Sequence, residues 1–332
     1  MATLADVARV AGVATSTVSH VLNGTRFVSA ETTLAVQNAM REVNYTPNTL
    51  ARALARSTTN TIGLAISSTK NCYFADAINA IEEECERAGM MVLLANTRDD
   101  PEYELKMVAE LHKRRVDGLI IAPACGPGNA SLTYLRERHI PTVMVDRLPD
   151  VALDGVAVEG RRSLAAIVSH IVGHGHKRIG FIGGPASFTT AQERVEGFRD
   201  GLRMHGLTID EACISIGHNE LTTATEAAVR MITAAKPVTA MIGGNDLTTV
   251  GIMLAVREIG LRVPADLAVA GFDDFAWADA FEPRLTAMAQ PYHAIGRTAA
   301  ELLKSRIESA HGEPRIVRLD PHFVIRNSCG CP

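Results

Sequence analysis

The chain lacks the features that would place it in a membrane or outside the cell. No apolar run among its 332 residues is long enough to cross a bilayer. The charged residues Asp6 and Arg9 interrupt the start of the chain, where a secretory signal needs a continuous apolar stretch. We therefore expect a cytoplasmic protein that has no membrane partner.

Cysteine is scarce and is not spaced like a ligand set. The terminal Cys-Gly-Cys segment at 329–331 has no second pair beside it, which makes it a poor zinc site and a strained disulfide. His170, His174 and His176 look more metal-like, but the last two lie in a link from a helix into a strand, where capping explains them. These patterns predict free thiols, no bound metal and no cofactor.

Motifs of the common enzyme classes are also absent. Two double-glycine segments, at 183–184 and 243–244, follow apolar runs, but neither has the spacing of a dinucleotide fingerprint or a P-loop. The chain contains no G-x-S-x-G, H-E-x-x-H or kinase-type motif set. Tight turns explain these glycines, and the sequence does not favour an enzyme.

Positive charge is concentrated at the amino-terminal end. The formal net charge is −4, and no lysine precedes Lys70. Residues 1–60 contain five arginines and three acidic residues, which gives a formal charge of +2 and leaves −6 for the rest. Only the amino-terminal part is suited to phosphates, and its few cations predict a shallow salt dependence of DNA binding.

Residues 3–23 have the pattern of two short helices joined at Gly12. Thr3 and Asp6 resemble a capping box, and apolar residues recur at helical spacing on both sides of the turn. The two helices can therefore bury each other's apolar faces as a helix-turn-helix. An ordinary surface hairpin of helices is the alternative. The outward side chains of the second helix are short and polar, as a major groove requires: Thr15, Ser16, Thr17, Ser19 and His20.

A third helix over 29–43, capped by Ser29, completes a small headpiece, and a short helical pattern with a polar linker follows. From Thr61 onward, strand-like runs alternate with amphipathic helices, which predicts parallel sheets covered by helices on both faces. So many strands favour two doubly wound lobes with ligand sites at the strands' carboxyl ends. The expected strands are 62–66, 91–95, 118–122, 142–146, 156–158, 179–183, 240–243 and 267–271.

Further motifs follow the helix-turn-helix in a set order. Tyr45-x-Pro-Asn and a short Ala/Leu/Arg helix come first. Later motifs lie at 116–121, 175–176, 184–185, 245–246, 260–264 and 271–274. In this order the motifs resemble those of the lactose/galactose repressor (LacI/GalR) family of bacterial transcription regulators, and the resemblance covers essentially the whole chain. It implies an all-α headpiece followed by an α/β, two-lobed, periplasmic-binding-protein-like domain.

The resemblance also implies domain boundaries. The headpiece occupies 1–46, the hinge helix and linker occupy 47–60, and the effector-binding and dimerisation domain occupies 61–332. Within that domain, the N-lobe comprises about 61–160 and 291–318, and the C-lobe about 161–290 and 319–332.

For the headpiece, the resemblance implies two kinds of DNA contact. Thr15, Ser16 and His20 face base edges, and Thr17, Asn23 and Arg26 contact phosphates. Leu54 matches the leucine that wedges into the minor groove, with Ala55 beside it. The alternative is that Leu54 forms only the buried side of a two-turn helix. Ala14 replaces the serine that caps the recognition helix, so the cap is either lost or moved to Thr15.

For the effector, the resemblance implies a cleft between the lobes, with the ligand held by Arg194, Asn245 and Asp273. A guanidinium beside a carboxylate can bind adjacent hydroxyls as donor and acceptor, which favours a sugar or sugar derivative. A structural ion pair between Arg194 and Asp273 is the alternative. Aromatic rings at predicted loops are expected to stack on the ligand: Tyr73, Phe74, Phe188, Phe275 and Trp277. For Phe74 and Phe275, packing at the lip of the cleft is the alternative.

The headpiece and the cleft point to different classes of ligand. Motifs at 17–21 and 25–28 are closest to purine-responsive members of the family. However, Phe188 stands where those members have a base-reading arginine, and Asn219 stands near the position of a stacking aromatic. These departures disfavour a purine.

We therefore expect a homodimeric repressor whose headpieces read a pseudo-palindromic double-stranded DNA operator under the control of a small-molecule effector. The last residues, 327–332, lack the leucine-heptad helix by which some relatives tetramerise. Two other classes share the two-lobed fold: a solute-binding protein without DNA function, and an enzyme. The first 60 residues argue against the former, and the missing catalytic motifs argue against the latter.

Overall fold

The computed structural model describes residues 2–46, 58–67, 72–124, 127–218, 220–309 and 312–332. The chain forms two compact units, the first up to Thr59 and the second from Asn60 onward. None of the helices in the described ranges has the length and apolar character needed to span a bilayer.

The first unit is built from three helices, which are α1 (Leu4–Ala11), α2 (Thr15–Asn23) and α3 (Ala30–Glu42). A capping box starts α1, because the Thr3 hydroxyl accepts from the Asp6 amide and the Asp6 carboxylate accepts from the Thr3 amide at 3.0 Å. The turn between α1 and α2 begins at Gly12, whose φ of 66° lies in the left-handed region that glycine adopts readily.

Each helix contributes a fully buried valine to the small core of this unit: Val7, Val18 and Val36. The helix-turn-helix and the third helix, capped by Ser29, are confirmed. The predicted hinge helix, with Leu54 and Ala55, lies outside the described residues.

The recognition helix α2 begins without a side-chain cap. Ala14 is the N-cap residue, with extended backbone angles of φ −70° and ψ 150°, and its side chain makes no capping hydrogen bond to the amides of the first turn. Thr15 is already the first helical residue, so the cap has not moved to it.

We expect Ala14→Ser to stabilise the headpiece by about 0.5–2 kcal/mol, because the backbone at this position already has the geometry in which a serine hydroxyl accepts from the second or third amide. Thermal unfolding of the isolated segment 1–59 and of the full chain would measure the effect. An unchanged or lower unfolding midpoint of the headpiece would contradict this expectation.

The second unit contains two six-stranded sheets. The strands of the first sheet are β1 (Thr61–Ile66), β2 (Met91–Asn96), β3 (Gly118–Ile121), β4 (Thr142–Val145), β5 (Asp154–Val158) and β11 (Ile316–Leu319). Their order is β11-β5-β4-β3-β1-β2, and all neighbouring pairs are parallel.

The strands of the second sheet are β6 (Ile179–Ile182), β7 (Ile214–Ser215), β8 (Ala240–Gly243), β9 (Ala268–Phe272), β10 (Thr286–Ala289) and β12 (His322–Val324). Their order is β12-β10-β9-β8-β6-β7. Its pairs are parallel except that β12 runs antiparallel to β10.

Eight α-helices of the second unit are described: α4 (Cys72–Arg87), α5 (Pro101–Lys113), α6 (Ala130–Glu137), α7 (Gly160–Gly173), α8 (Thr189–Met204), α9 (Leu221–Ile232), α10 (Asp246–Ile259) and α11 (Tyr292–Glu308). Alternate residues of β1 belong to different apolar clusters, with Ile62, Leu64 and Ile66 in one and Ala65 in another. The strand is therefore buried on both faces, as a doubly wound sheet requires.

All eight strands expected from the sequence are present within two residues of their predicted bounds. Four further strands were not predicted, namely β7, β10, β11 and β12. Of these, β7, β11 and β12 are edge strands of two to four residues, and the two at the carboxyl-terminal end of the chain are largely exposed or half-buried. The antiparallel β12 is the one exception among the described strand pairs to the predicted parallel sheets.

Candidate functional site

A cavity of about 710 Å³ lies at the carboxyl ends of the strands of both sheets. The first sheet contributes residues that end or follow β1, β2 and β4, and the second contributes residues that follow β6, β8 and β9. The predicted effector residues in its wall are Tyr73, Phe74, Phe188, Arg194, Asn245, Asp273 and Trp277.

Phe275 is not among the wall residues of the cavity, which favours the alternative of packing over ligand contact. Its ring is 5% exposed and belongs to a small apolar cluster with Ala278 and Leu285. Trp277 covers it, with ring centroids 4.2 Å apart. Phe275 therefore packs against Trp277 and does not line the cavity.

Arg194 and Asp273 form the polar centre of the second sheet's side of the cavity. Both are buried, and the Arg194 Nη2 to Asp273 Oδ1 distance is 3.7 Å, long for a direct hydrogen bond. Arg194 Nη1 donates to the Gly244 carbonyl at 2.7 Å, and the guanidinium lies 3.9 Å from the ring of Phe272. The arginine is thus held by its backbone and ring contacts more than by the carboxylate.

Gln290, which the sequence analysis missed, completes this group. Its Nε2 donates to Asp273 Oδ1, while its Oε1 has no hydrogen-bond partner among the described residues. The same holds for the buried Arg194 Nε. Buried polar atoms without partners are costly in a protein, and a polar ligand in the cavity is one way to satisfy them. No local pattern pointed to Gln290, which directly follows β10 and is placed here by the pairing of β10 with β9.

Arg147 was also missed, and it forms the polar centre on the first sheet's side. Its guanidinium lies within salt-bridge distance of Asp99, at 2.5 Å, and of Asp146, at 3.5 Å, and it donates to Ser67 at 3.2 Å. It also lies 3.7 Å from the ring of Phe188. One face of Phe188 is therefore occupied by a cation, which leaves at most its other face for a ligand.

The walls that the two sheets contribute to the cavity share a feature that could have identified Arg147. In each sheet an aspartate directly follows a buried strand in the left-handed backbone region, Asp146 at φ 65° and Asp273 at φ 70°. Since the two strand ends face one cavity, a charged residue beside either aspartate is a candidate for the wall.

The cavity carries more acidic than basic groups. Its wall includes five carboxylates and three guanidinium groups. These are Asp99, Asp146, Glu220, Asp246 and Asp273, with Arg98, Arg147 and Arg194. Burial raises the pKa of Asp146, although the nearby Arg147 and Arg194 oppose this shift. Burial and the Asp146 and Asp273 carboxylates raise the pKa of Tyr73, so its phenol stays protonated and can donate a hydrogen bond.

Asn245 has a structural task as well as a place in the wall. It is the N-cap of α10, where its Oδ1 accepts from the Thr248 amide at 2.8 Å. The Thr248 hydroxyl in turn accepts from the Asn245 backbone amide at 3.0 Å. The capping box fixes the orientation of the side chain and leaves the Nδ2 group as the one that could donate to a ligand.

In the first unit, the predicted DNA-contact residues lie on or just after α2. Thr15, Ser16 and Arg26 are exposed. His20 Nδ1 lies 2.8 Å from the Thr25 hydroxyl, and Asn23 Nδ2 donates to the Ser19 hydroxyl at 3.2 Å. No acidic residue occurs on α2, so its outward face does not repel phosphates. Thr17 is half-buried.

Each of the two units matches a known protein family. Residues 3–48 match the family of bacterial regulatory proteins of the lacI type, and residues 168–329 match the periplasmic binding protein-like domain. The transcriptional repressor PurR of Photobacterium profundum is 35% identical over 331 residues, which are 99% of this chain and 98% of that protein.

Solved structures agree with this assignment. The lac repressor dimer bound to operator and the anti-inducer ONPF has a TM-score of 0.89 and 28% identity, with 99% of each chain covered. The transcriptional regulator CelR in complex with cellobiose has a TM-score of 0.75 and 28% identity, with 99% of this chain and 100% of that chain covered.

A helix-turn-helix unit followed by a two-sheet unit with a polar cavity defines a DNA-binding transcriptional regulator that responds to a small molecule. The chain belongs to the LacI family of bacterial regulatory proteins.

Proposed function

We propose that the protein is a homodimeric repressor whose affinity for a pseudo-palindromic operator is set by a neutral sugar, or a neutral sugar derivative, bound in the cavity. It acts in the cytoplasm, where the chromosome lies, and its cavity binds without catalysing a reaction. The observation that carries the proposal is the group of Arg194, Asp273 and Gln290, in which a carboxylate and two unsatisfied polar atoms line the same cavity.

This group offers what adjacent hydroxyls need. Asp273 accepts hydrogen bonds, Arg194 Nε donates one, and Gln290 Oε1 accepts another. A sugar hydroxyl both donates and accepts, so two neighbouring hydroxyls can satisfy all three groups. The relative CelR, which binds cellobiose, supports the sugar class.

The charge of the wall narrows the class further. Five carboxylates against three guanidinium groups disfavour a phosphorylated or carboxylated sugar, because an added anion would meet a net negative wall. Phe188 disfavours a purine, since a phenyl ring cannot donate to a base edge and one of its faces is covered by Arg147. The similarity to PurR repressors makes the purine the main competitor.

A thermal-shift screen distinguishes these ligands. Pentoses, hexoses and disaccharides would be tested beside their phosphates, and beside hypoxanthine and guanine. We expect a neutral sugar to raise the unfolding midpoint of the second unit, with its phosphate less effective. Tight binding of hypoxanthine or guanine would overturn the sugar assignment while leaving the DNA-binding role intact.

For the operator, we propose that Thr15, Ser16 and His20 read bases and that Thr17, Asn23 and Arg26 contact phosphates. Leu54 and Ala55 are proposed, from the family resemblance, to enter the minor groove. The exposure of Thr15, Ser16 and Arg26 leaves these side chains accessible to DNA.

We expect substitutions at Thr15 to change the preferred half-site by about 1–3 kcal/mol per base pair, because base contacts carry sequence information. Arg26→Ala should weaken all sequences alike and reduce the salt slope by about one, as the loss of one phosphate contact does. Operator selection followed by anisotropy titrations at several salt concentrations measures both. Arg41→Ala is the control, since Arg41 lies on α3 and bonds to Asn38. A selected operator unchanged by Thr15 variants would refute the division.

A further inference from the structure

Two histidines and two cysteines converge outside the cavity. His170 lies in the last turn of α7 and His174 directly follows this helix, while Cys329 and Cys331 lie in the segment after β12. Their four nitrogen and sulfur ligand atoms all lie within 4.8 Å of one another. Only the fold shows this, because about 155 residues separate the two pairs in the sequence and each pair alone is an incomplete ligand set.

The distances fit one tetrahedral ion. His170 Nε2 lies 3.2 Å from Cys329 Sγ and 3.7 Å from Cys331 Sγ, and His174 Nε2 lies 3.3 Å from Cys331 Sγ. With Zn–S bonds of about 2.3 Å and Zn–N bonds of about 2.0–2.1 Å, a tetrahedral site has nitrogen and sulfur about 3.5 Å apart. The measured values lie on both sides of that figure, so small side-chain rotations suffice.

The surrounding structure holds these ligands in place. Cys329 is fully buried, and the Thr286 hydroxyl donates to its sulfur at 3.1 Å. The neighbouring Ser328 donates from its hydroxyl to the Val269 carbonyl at 2.7 Å, which fixes the segment against the sheet. Gly330, at φ 100°, supplies the left-handed turn between the two cysteines.

The cluster is separate from the effector cavity. Ser328 bonds to Val269, near the start of β9, and accepts at 2.8 Å from the amide of Thr286, the first residue of β10. These are the amino ends of the strands, whereas the cavity lies at their carboxyl ends. A role for this cluster therefore goes beyond the proposed function and does not depend on it.

We propose that His170, His174, Cys329 and Cys331 bind one Zn²⁺ ion that ties the carboxyl-terminal segment to the end of α7. Two thiolates and two imidazoles in tetrahedral geometry are a ligand set typical of zinc. Because four protein ligands fill the coordination sphere, the site is structural, and no position is open for a water or a substrate.

Metal titration of the full-length, chelator-treated protein in the presence of a thiol-free reductant tests this. We expect one Co²⁺ per chain, with the visible bands of tetrahedral cobalt and a thiolate-to-cobalt charge-transfer band, both removed by stoichiometric Zn²⁺. Zinc should also raise the unfolding temperature of the second unit. A chain that takes up no cobalt, or that gives only the weak spectrum of octahedral cobalt, would overturn the proposal.

Cys331→Ser and His174→Gln are the informative variants, because these two residues are less buried than Cys329 and their loss is less disruptive to the fold. Each should weaken cobalt binding about 100-fold or more, since losing a residue that only orients a metal ligand already costs about 10- to 100-fold. His176→Gln is the control, as His176 bonds to Thr239 and is outside the cluster. Unchanged metal affinity in both folded variants would contradict the assignment.

Discussion

Asp273→Ala is expected to reduce effector affinity by about 2–5 kcal/mol, a factor of about 30 or more. The substitution removes the carboxylate that faces Arg194 and accepts from Gln290, so the buried Gln290 Nε2 loses its acceptor and Arg194 loses its neighbouring negative charge. Operator binding by the ligand-free protein should be unchanged if the effector is an inducer, because Asp273 belongs to the second unit.

Trp277 provides the readout for this prediction. It is the only tryptophan in the chain, lies in the cavity wall and is 45% exposed, so its fluorescence should change when a ligand enters. Titrations would compare wild type, Asp273→Ala and the control Asp320→Ala, whose carboxylate is exposed and not in the wall. Equal effector affinity for all three proteins would place the site elsewhere.

Val18→Asp is expected to abolish operator binding while effector binding is retained. Val18 is fully buried in a core made from three short helices, and a charge there loses its hydration without gaining a partner. So small a unit has few kcal/mol of stability to lose. The second unit has its own apolar clusters and should remain folded.

The matched control for this variant is Leu34→Asp. It places the same charge in the same unit, but at a side chain that is 55% exposed, so the cost of burial is separated from repulsion of phosphates. Operator anisotropy and tryptophan fluorescence would be measured on both variants. Comparable operator affinity for Val18→Asp and Leu34→Asp would show that the headpiece core is not what positions α2.

Hydrophobic periodicity was sufficient to predict the central elements of the fold. Buried strands such as β3 and β8 are continuous apolar runs that end at glycine or alanine turns, and the core stripes of α1 and α2 recur at helical spacing. The sequence failed where that signal is weak. β10 reads Thr-Ala-Met-Ala, with one β-branched residue, and β7 has only two residues, so neighbouring strands decide their conformation.

The candidate effector residues Arg194, Asn245 and Asp273 were expected from the family resemblance and not from a local pattern. All three lie in the wall of one cavity. Gln290 does not follow a local pattern, Arg147 is marked only by its place beside the aspartate that follows β4, and the direction of the Phe275 ring depends on tertiary packing. The histidine and cysteine cluster depends on tertiary structure altogether, since it forms only when β12 returns to the second sheet.

The central claim is that a ligand in this cavity controls DNA affinity, and operator binding with and without the effector tests it most directly. Anisotropy titrations of a palindromic operator would be run at fixed salt, with and without a saturating concentration of the sugar that gives the largest thermal shift. We predict a change in operator affinity of about 5- to 150-fold in wild type, and a smaller change for Asp273→Ala at the same sugar concentration. Identical operator affinity in wild type, with the sugar shown by Trp277 fluorescence to be bound, would contradict the account.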